Sequence, residues 1–169
     1  GNPDRALVSL SPDSLHLAWL APIDGVLNVW VTPRDNLAAA RPVTHDTRRG
    51  IRSYRWAYTN AHILYSQDSN GDENWRLYAV DVQTSAVKDL TPFPGVQAQL
   101  MEASPKFPDE VLVGLNHRNP QWHDVYRIHI VTGEMTVLLQ HDRFMGVTVD
   151  DEYRVRYAVQ MTPDGGSDI

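Results

Sequence analysis

Three segments of the chain repeat one pattern at one interval. Val29-Trp30-Val31-Thr32, Leu77-Tyr78-Ala79-Val80 and Val125-Tyr126-Arg127-Ile128 each run aliphatic, aromatic, variable, β-former. The aromatic residue advances by 48 positions from Trp30 to Tyr78 and by 48 again to Tyr126. A period of about 40 to 50 residues made of short strands marks the blade of a β-propeller. No such repeat can bury its apolar face alone, so the pattern demands sheets stacked on sheets.

The rest of each period supports that reading. A second apolar strand precedes each aromatic one: Leu17-Ala18-Trp19, Ile63-Leu64-Tyr65 and Val111-Leu112-Val113. Turn formers separate the two, as in Pro22-Ile23-Asp24-Gly25, Asp68-Ser69-Asn70-Gly71-Asp72 and Asn116-His117-Arg118-Asn119-Pro120. Such loops join antiparallel neighbours. An outer strand follows, ending near Thr44, Thr91 and Leu139, and an inner strand comes first, at 6–10, 53–58 and 96–101. Helical periodicity is confined to one turn around 36–40. The expected fold is all-β: a partial β-propeller of about three and a half four-stranded blades, half of a ring of roughly seven. The expected blades are 6–46, 51–93 and 96–141, with a partial one at 144–169.

Composition narrows the function classes. Charged residues make up 21% of the 169 and the net charge is −6. With Lys and Arg read as scattered, a nucleic-acid backbone is not the expected partner. The chain has no cysteine, which removes disulfides and thiol chemistry. No run of about 18 apolar residues occurs, so no membrane partner is expected. Gly1-Asn2-Pro3-Asp4-Arg5 lacks the basic-then-apolar layout of a signal peptide, and a cytoplasmic, bacterial-type location is the expectation.

A family resemblance lies in the second period. Asp68-Ser69-Asn70-Gly71-Asp72-Glu73-Asn74-Trp75-Arg76-Leu77-Tyr78 resembles the Gly-Asp-Glu-Asn-Trp hairpin of propeller domains in the prolyl oligopeptidase (S9) family. Ser11-Pro12-Asp13-Ser14 resembles that family's Ser-Pro-Asp-Gly turn, with Ser14 where Gly is usual. Leu90-Thr91-Pro92-Phe93-Pro94-Gly95 and Thr162-Pro163-Asp164-Gly165-Gly166 are similar to the acylaminoacyl-peptidase and dipeptidyl-aminopeptidase branch. TolB-like propellers share the Ser-Pro-Asp turn. The resemblance implies a propeller that filters oligopeptides for an α/β-hydrolase domain carrying a Ser-Asp-His triad. That catalytic domain is absent from the sequence. The nearest approach to a Gly-x-Ser-x-Gly elbow, Gly165-Gly166-Ser167-Asp168-Ile169, ends in Ile and follows a turn instead of a strand. No catalytic residue, and no activity of this chain alone, is expected.

Candidate binding residues are few. The resemblance implies that acidic side chains on propeller loops hold a substrate's amino terminus, which makes Asp72 and Glu73, with Trp75 beside them, the substrate-gating candidates. Charge-assisted hydrogen bonds would supply the hold. The competing reading is a carboxylate that bonds the backbone of its own turn. Asp68-x-Asn70-x-Asp72 opens like a calcium loop, but Glu73 and Ala79 stand where that loop needs Gly and Glu. His117, His123 and Asp124 lack a compact third ligand, and the histidines are read as solvated loop residues. No metal and no cofactor is expected. Trp30, Tyr78 and Tyr126, with Trp19 and Tyr65, are read as structural, packing between sheets. Trp122, like Trp75, is freer to meet a partner.

Two functions are carried forward. One is the non-catalytic propeller portion of an S9-type serine peptidase, gating short peptides, with a peptide or the missing hydrolase domain as partner. The alternative is a stand-alone TolB-like binding or assembly module, closing its ring as a homodimer through open blade edges.

Overall fold

The computed structural model describes residues 5–68, 71–141, 144–161 and 167–168. Among the described residues there are fifteen short strands and one 3-10 turn, Leu37–Ala39. The first sheet takes β1 (Ala6–Leu10), β2 (His16–Ile23), β3 (Val26–Pro33) and β4 (Arg41–Pro42). The second takes β5 (Tyr54–Trp56), β6 (His62–Gln67), β7 (Arg76–Asp81) and β8 (Val87–Asp89). The third takes β9 (Ala98–Ala103), β10 (Glu110–Asn119), β11 (Trp122–His129) and β12 (Met135–Leu139). The fourth has three strands, β13 (Phe144–Val149), β14 (Val155–Met161) and β15 (Ser167–Asp168). Within each sheet the strands lie side by side in chain order, every pair antiparallel. These are the blades of a partial β-propeller.

Register makes the repeat concrete. Trp19 pairs with Trp30, Tyr65 with Tyr78 and Val113 with Tyr126. Each repeat aromatic then meets the outer strand at one station, opposite Pro42, Asp89 or Val137. The turn between the first two strands also recurs. The amides of Ser14, Asn60, Phe107 and Tyr153 donate to the carbonyls of Ser11, Ala57, Ser104 and Asp150, at 2.8, 3.2, 3.1 and 3.0 Å. Three of those fourth residues are left-handed, Ser14 at φ 63°, Asn60 at 62° and Tyr153 at 61°. That conformation explains why glycine suits the place; Ser and Tyr hold it against a steric cost.

Alternation along each strand sends successive side chains to opposite faces, giving three interfaces. Ala18, Leu20, Val29 and Val31 of the first sheet pack on Trp56, Ile63, Tyr65 and Val80 of the second. Leu64, Leu77, Ala79 and Leu90 pack on Val111, Val113, Leu115 and Ile128 of the third. Leu112 and Val125 pack on Tyr153 of the fourth, with Phe107, Val147 and Val149 around them. Tyr78 joins the first of these cores and Tyr126 the second. The same station in the first sheet, Trp30, lies on the face that has no described sheet before it. Its indole N–H donates to Ala21 O at 3.2 Å, and the Arg5 guanidinium sits 4.8 Å over the Trp19 ring.

Candidate functional site

The β6–β7 hairpin is shaped by its own acidic side chains and by the crossing that enters β5. Asp68, with its side chain 4% exposed, pairs with Arg49 Nε at 3.2 Å, and its Oδ2 accepts the Glu73 amide at 3.3 Å. Gly71 has φ +80°, and a Cβ there would stand 3.0 Å from Arg49 Nη1. The left-handed backbone favours glycine here, and any side chain would also have to displace the Arg49 guanidinium. Asp72 Oδ1 accepts the Asn74 amide at 3.0 Å, and Glu73 is left-handed at φ 59°. At the foot of the hairpin the Trp75 carbonyl accepts the Ala98 amide at 2.8 Å, tying the loop to the third sheet.

The three gating candidates thus differ. Asp72 and Glu73 are exposed at the tip and Trp75 is half-buried at the base. Asp72 does what the competing reading asked of it, holding its own turn. Glu73 makes no side-chain ion pair or hydrogen bond among the described residues. It is an exposed residue whose carboxylate is not engaged with another described residue. The calcium-like opening has its first carboxylate committed to Arg49; Ser69 and Asn70 lie outside the described residues. No cluster of three metal-ligating groups occurs among the described residues. The turn at 163–166 and Ile169 also lie outside them; Ser167 pairs in β15 opposite Met161.

His117 is exposed, as a solvated loop histidine should be, whereas His123 and His141 correct that expectation. Asp124, 1% exposed, receives a two-pronged ion pair from Arg118, Nε to Oδ2 at 2.9 Å and Nη2 to Oδ1 at 3.0 Å. Its Oδ1 also accepts the His141 amide at 2.9 Å, and Arg118 Nη2 donates to His141 O at 2.6 Å. His141 Nε2 lies 2.8 Å from the His123 carbonyl, so that nitrogen carries the proton. His141 is 8% exposed and meets Trp122 edge-on at 6.0 Å. His123 Nε2 is buried without a partner. Burial, with His141 nearby, lowers the His123 pKa against the opposing pull of Asp124. Burial pushes Asp124 up, but the Arg118 and His141 hydrogen bonds outweigh it and hold the carboxyl below its usual value. His117 stacks on Phe93 at 4.3 Å. His123 is held in β11, where alternation sets the face its ring occupies, and His141 is buried by the contacts just described; loop composition reveals neither. The network's sequence signal is Asp124 itself, at the station Asn28 holds in the first sheet; both anchor the departing outer strand.

One further feature corrects the view that basic residues are scattered. Arg48, Arg49 and Arg52 fall within the crossing from the first sheet to the second, and Arg55 follows in β5. Their spacing was visible in the sequence; that three of them make no ion pair among the described residues was not.

The chain is 51% identical over 170 aligned residues to dipeptidyl aminopeptidase BIII of Pseudoxanthomonas mexicana, matching 100% of this chain and 25% of that protein. It is 32% identical over 172 to dipeptidyl peptidase family member 6 of Caenorhabditis elegans, 97% of this chain and 23% of that protein. The chain spans about a quarter of the length of these curated relatives. Among solved structures, an acylaminoacyl peptidase of Pyrococcus horikoshii matches with TM-score 0.59 and 17% identity, over 91% of this chain and 28% of that one. The β-propeller domain of the trilobed protease of Pyrococcus furiosus matches with TM-score 0.57 and 15% identity, over 83% and 45%. TolB of Acinetobacter baumannii matches with TM-score 0.55 and 15% identity, over 96% and 39%. No family model matches the chain. No helix among the described residues is long and apolar enough to cross a membrane.

Proposed function

We propose, for a chain whose resemblance to propeller domains of the prolyl oligopeptidase (S9) family holds along its whole length, that it forms part of the gate of a cytoplasmic serine peptidase. In this reading the longer polypeptide carries the hydrolase domain, and these blades admit short peptides and hold their amino end. The observation that carries it is the β6–β7 hairpin: a tip with Glu73 exposed and unpaired, on a base fixed by Asp68–Arg49 and by the Trp75–Ala98 bond. A rigid base with a free carboxylate suits an ammonium ligand, because little order is lost on binding.

The experiment is steady-state hydrolysis by the longer polypeptide. Glu73→Gln raises KM for a dipeptidyl p-nitroanilide with a free amino terminus and leaves that of its N-acetylated counterpart in place. Unchanged KM for both removes the gating role from this hairpin. The isolated chain should show no turnover of either substrate, and turnover lost on Ser167→Ala contradicts the assignment.

A second reading has its own support. The Trp19–Trp30 face of the first sheet is the face that sheets two and three bury against a preceding sheet. In a stand-alone TolB-like module a second copy would cover it. Light scattering that finds a monomer at micromolar concentration ends that reading.

A further inference from the structure

The crossing into the second sheet places positive charge at the inner edge of an otherwise acidic chain. Arg49 is taken by Asp68. Arg48, Arg52 and Arg55 are exposed and make no ion pair or hydrogen bond among the described residues. Of these, Arg55 is built into a strand. It sits in β5 opposite Leu64 and lines two clefts at once. One, of about 380 Å³, opens between β1 and β5 and has a mixed lining, with Ser9 and Tyr54 beside Leu10, Pro12, Trp56 and Tyr58. The other, of about 190 Å³, is walled by Leu64, Leu77 and Leu100, with the polar residues Ser53 and Ser66 among its lining.

We infer that Arg55 and its two clefts bind the carboxylate end of a peptide whose last side chain is apolar. A guanidinium presents parallel N–H donors that match a carboxylate. The smaller cleft is walled mainly by Leu64, Leu77 and Leu100, which suits an apolar group attached to that carboxylate. A C-terminal residue such as leucine joins both within one residue. A phosphate asks for more donors than one arginine supplies, and a glutamate side chain brings the charge without the apolar neighbour. Choosing a peptide as ligand rests on the gating reading, and the geometry fits it: the Arg49–Asp68 pair fastens the acidic hairpin to the crossing that leads into β5 and Arg55.

Isothermal titration of this chain tests the site directly. Acetyl-Ala-Ala-Leu as the free acid is expected to bind about tenfold or more tighter than its C-terminal amide. Arg55→Gln brings the acid down to the amide's level while circular dichroism and the melting curve stay unchanged. Inorganic phosphate and acetyl-Ala-Ala-Glu amide should compete at least about tenfold less well than the free acid. Equal binding of acid and amide, full competition by phosphate, undiminished binding to Arg55→Gln, or no binding of the acid each overturns the inference. Because this measures the chain alone, its failure leaves the gating reading to be decided by Glu73 and KM.

Discussion

The second and third sheets meet through hydrocarbon, while the third and fourth meet through directed polar contacts. Between the second and third, Leu64, Leu77 and Leu90 interlock with Val113, Leu115 and Ile128, all at most 2% exposed. Between the third and fourth the buried apolar set is small, Leu112, Val125 and Tyr153, and hydrogen bonds surround it. Tyr153 donates its hydroxyl to Glu110 O at 2.7 Å, and burial raises that hydroxyl's pKa to about 12. Phe107 stacks on Tyr153 at 5.0 Å, and Arg127 lies 4.8 Å over Phe107 while pairing with Glu110 at 2.6 Å. Ser104 Oγ donates to Asp151 O at 2.6 Å. The same sheet thus uses area on one face and directionality on the other. Apolar burial tolerates small shifts and scales with area. Hydrogen bonds fix position and cost heavily when one partner is removed.

That contrast can be broken most forcefully at Ile128, which is fully buried on the apolar side. Ile128→Ala should cost about 2–5 kcal/mol, read as a lower urea midpoint with unchanged slope. At the buried ion pair of the same strand, Asp124→Ala removes the carboxylate that both the Arg118 guanidinium and the His141 amide donate to. Its cost should be about 2–3 kcal/mol, below that of a fully buried pair because Arg118 is 42% exposed. Gly133→Ala sharpens the comparison at the rim of the second and third sheets. At φ +77° its Cβ would stand 2.8 Å from Lys88 Cε, and about 1 kcal/mol should be lost. A midpoint that does not move would show that the Lys88 side chain swings clear.

Acid should separate the two faces as well. His123 titrates lower in the folded chain than in the unfolded one, so its contribution is complete above about pH 6.5 and fades as pH falls through the folded value. Asp124 is also lowered; its contribution stands above about pH 3.9 and is lost below, through its own folded value. Urea midpoints measured from pH 7.5 to 5 should therefore decline, and His123→Gln should flatten the decline without changing Asp124's acid limb. The smallest effect belongs to Lys106→Ala. Its exposed pairs with Asp151 and Glu152 should leave the midpoint where it was, and added salt should change nothing further.

Much of the architecture was legible because a propeller repeats itself. The 48-residue step of Trp30, Tyr78 and Tyr126 places them at one register station, and Ser11-Pro12-Asp13-Ser14 announces a turn found in every sheet. The site was less legible. Asp72, Glu73 and Trp75 come from one short hairpin, yet nothing in their order tells that Asp72 holds its own turn while Glu73 faces solvent. His123 and His141 were misread because a histidine's surroundings are set by which face of the strand it occupies and by what crosses over it. Arg55 was passed over because its meaning depends on the two clefts that flank β5.

The sequence by itself determined the strand order, the period and the alternation of apolar residues, since each of these follows from local geometry along one chain. Tertiary structure alone decided which carboxylates are neutralised and which arginines make no ion pair among the described residues. Those outcomes depend on groups far apart in the chain, such as Arg49 with Asp68 or Ser104 with Asp151. Charge and burial are properties of neighbours in space, and only the stacked sheets bring those neighbours together.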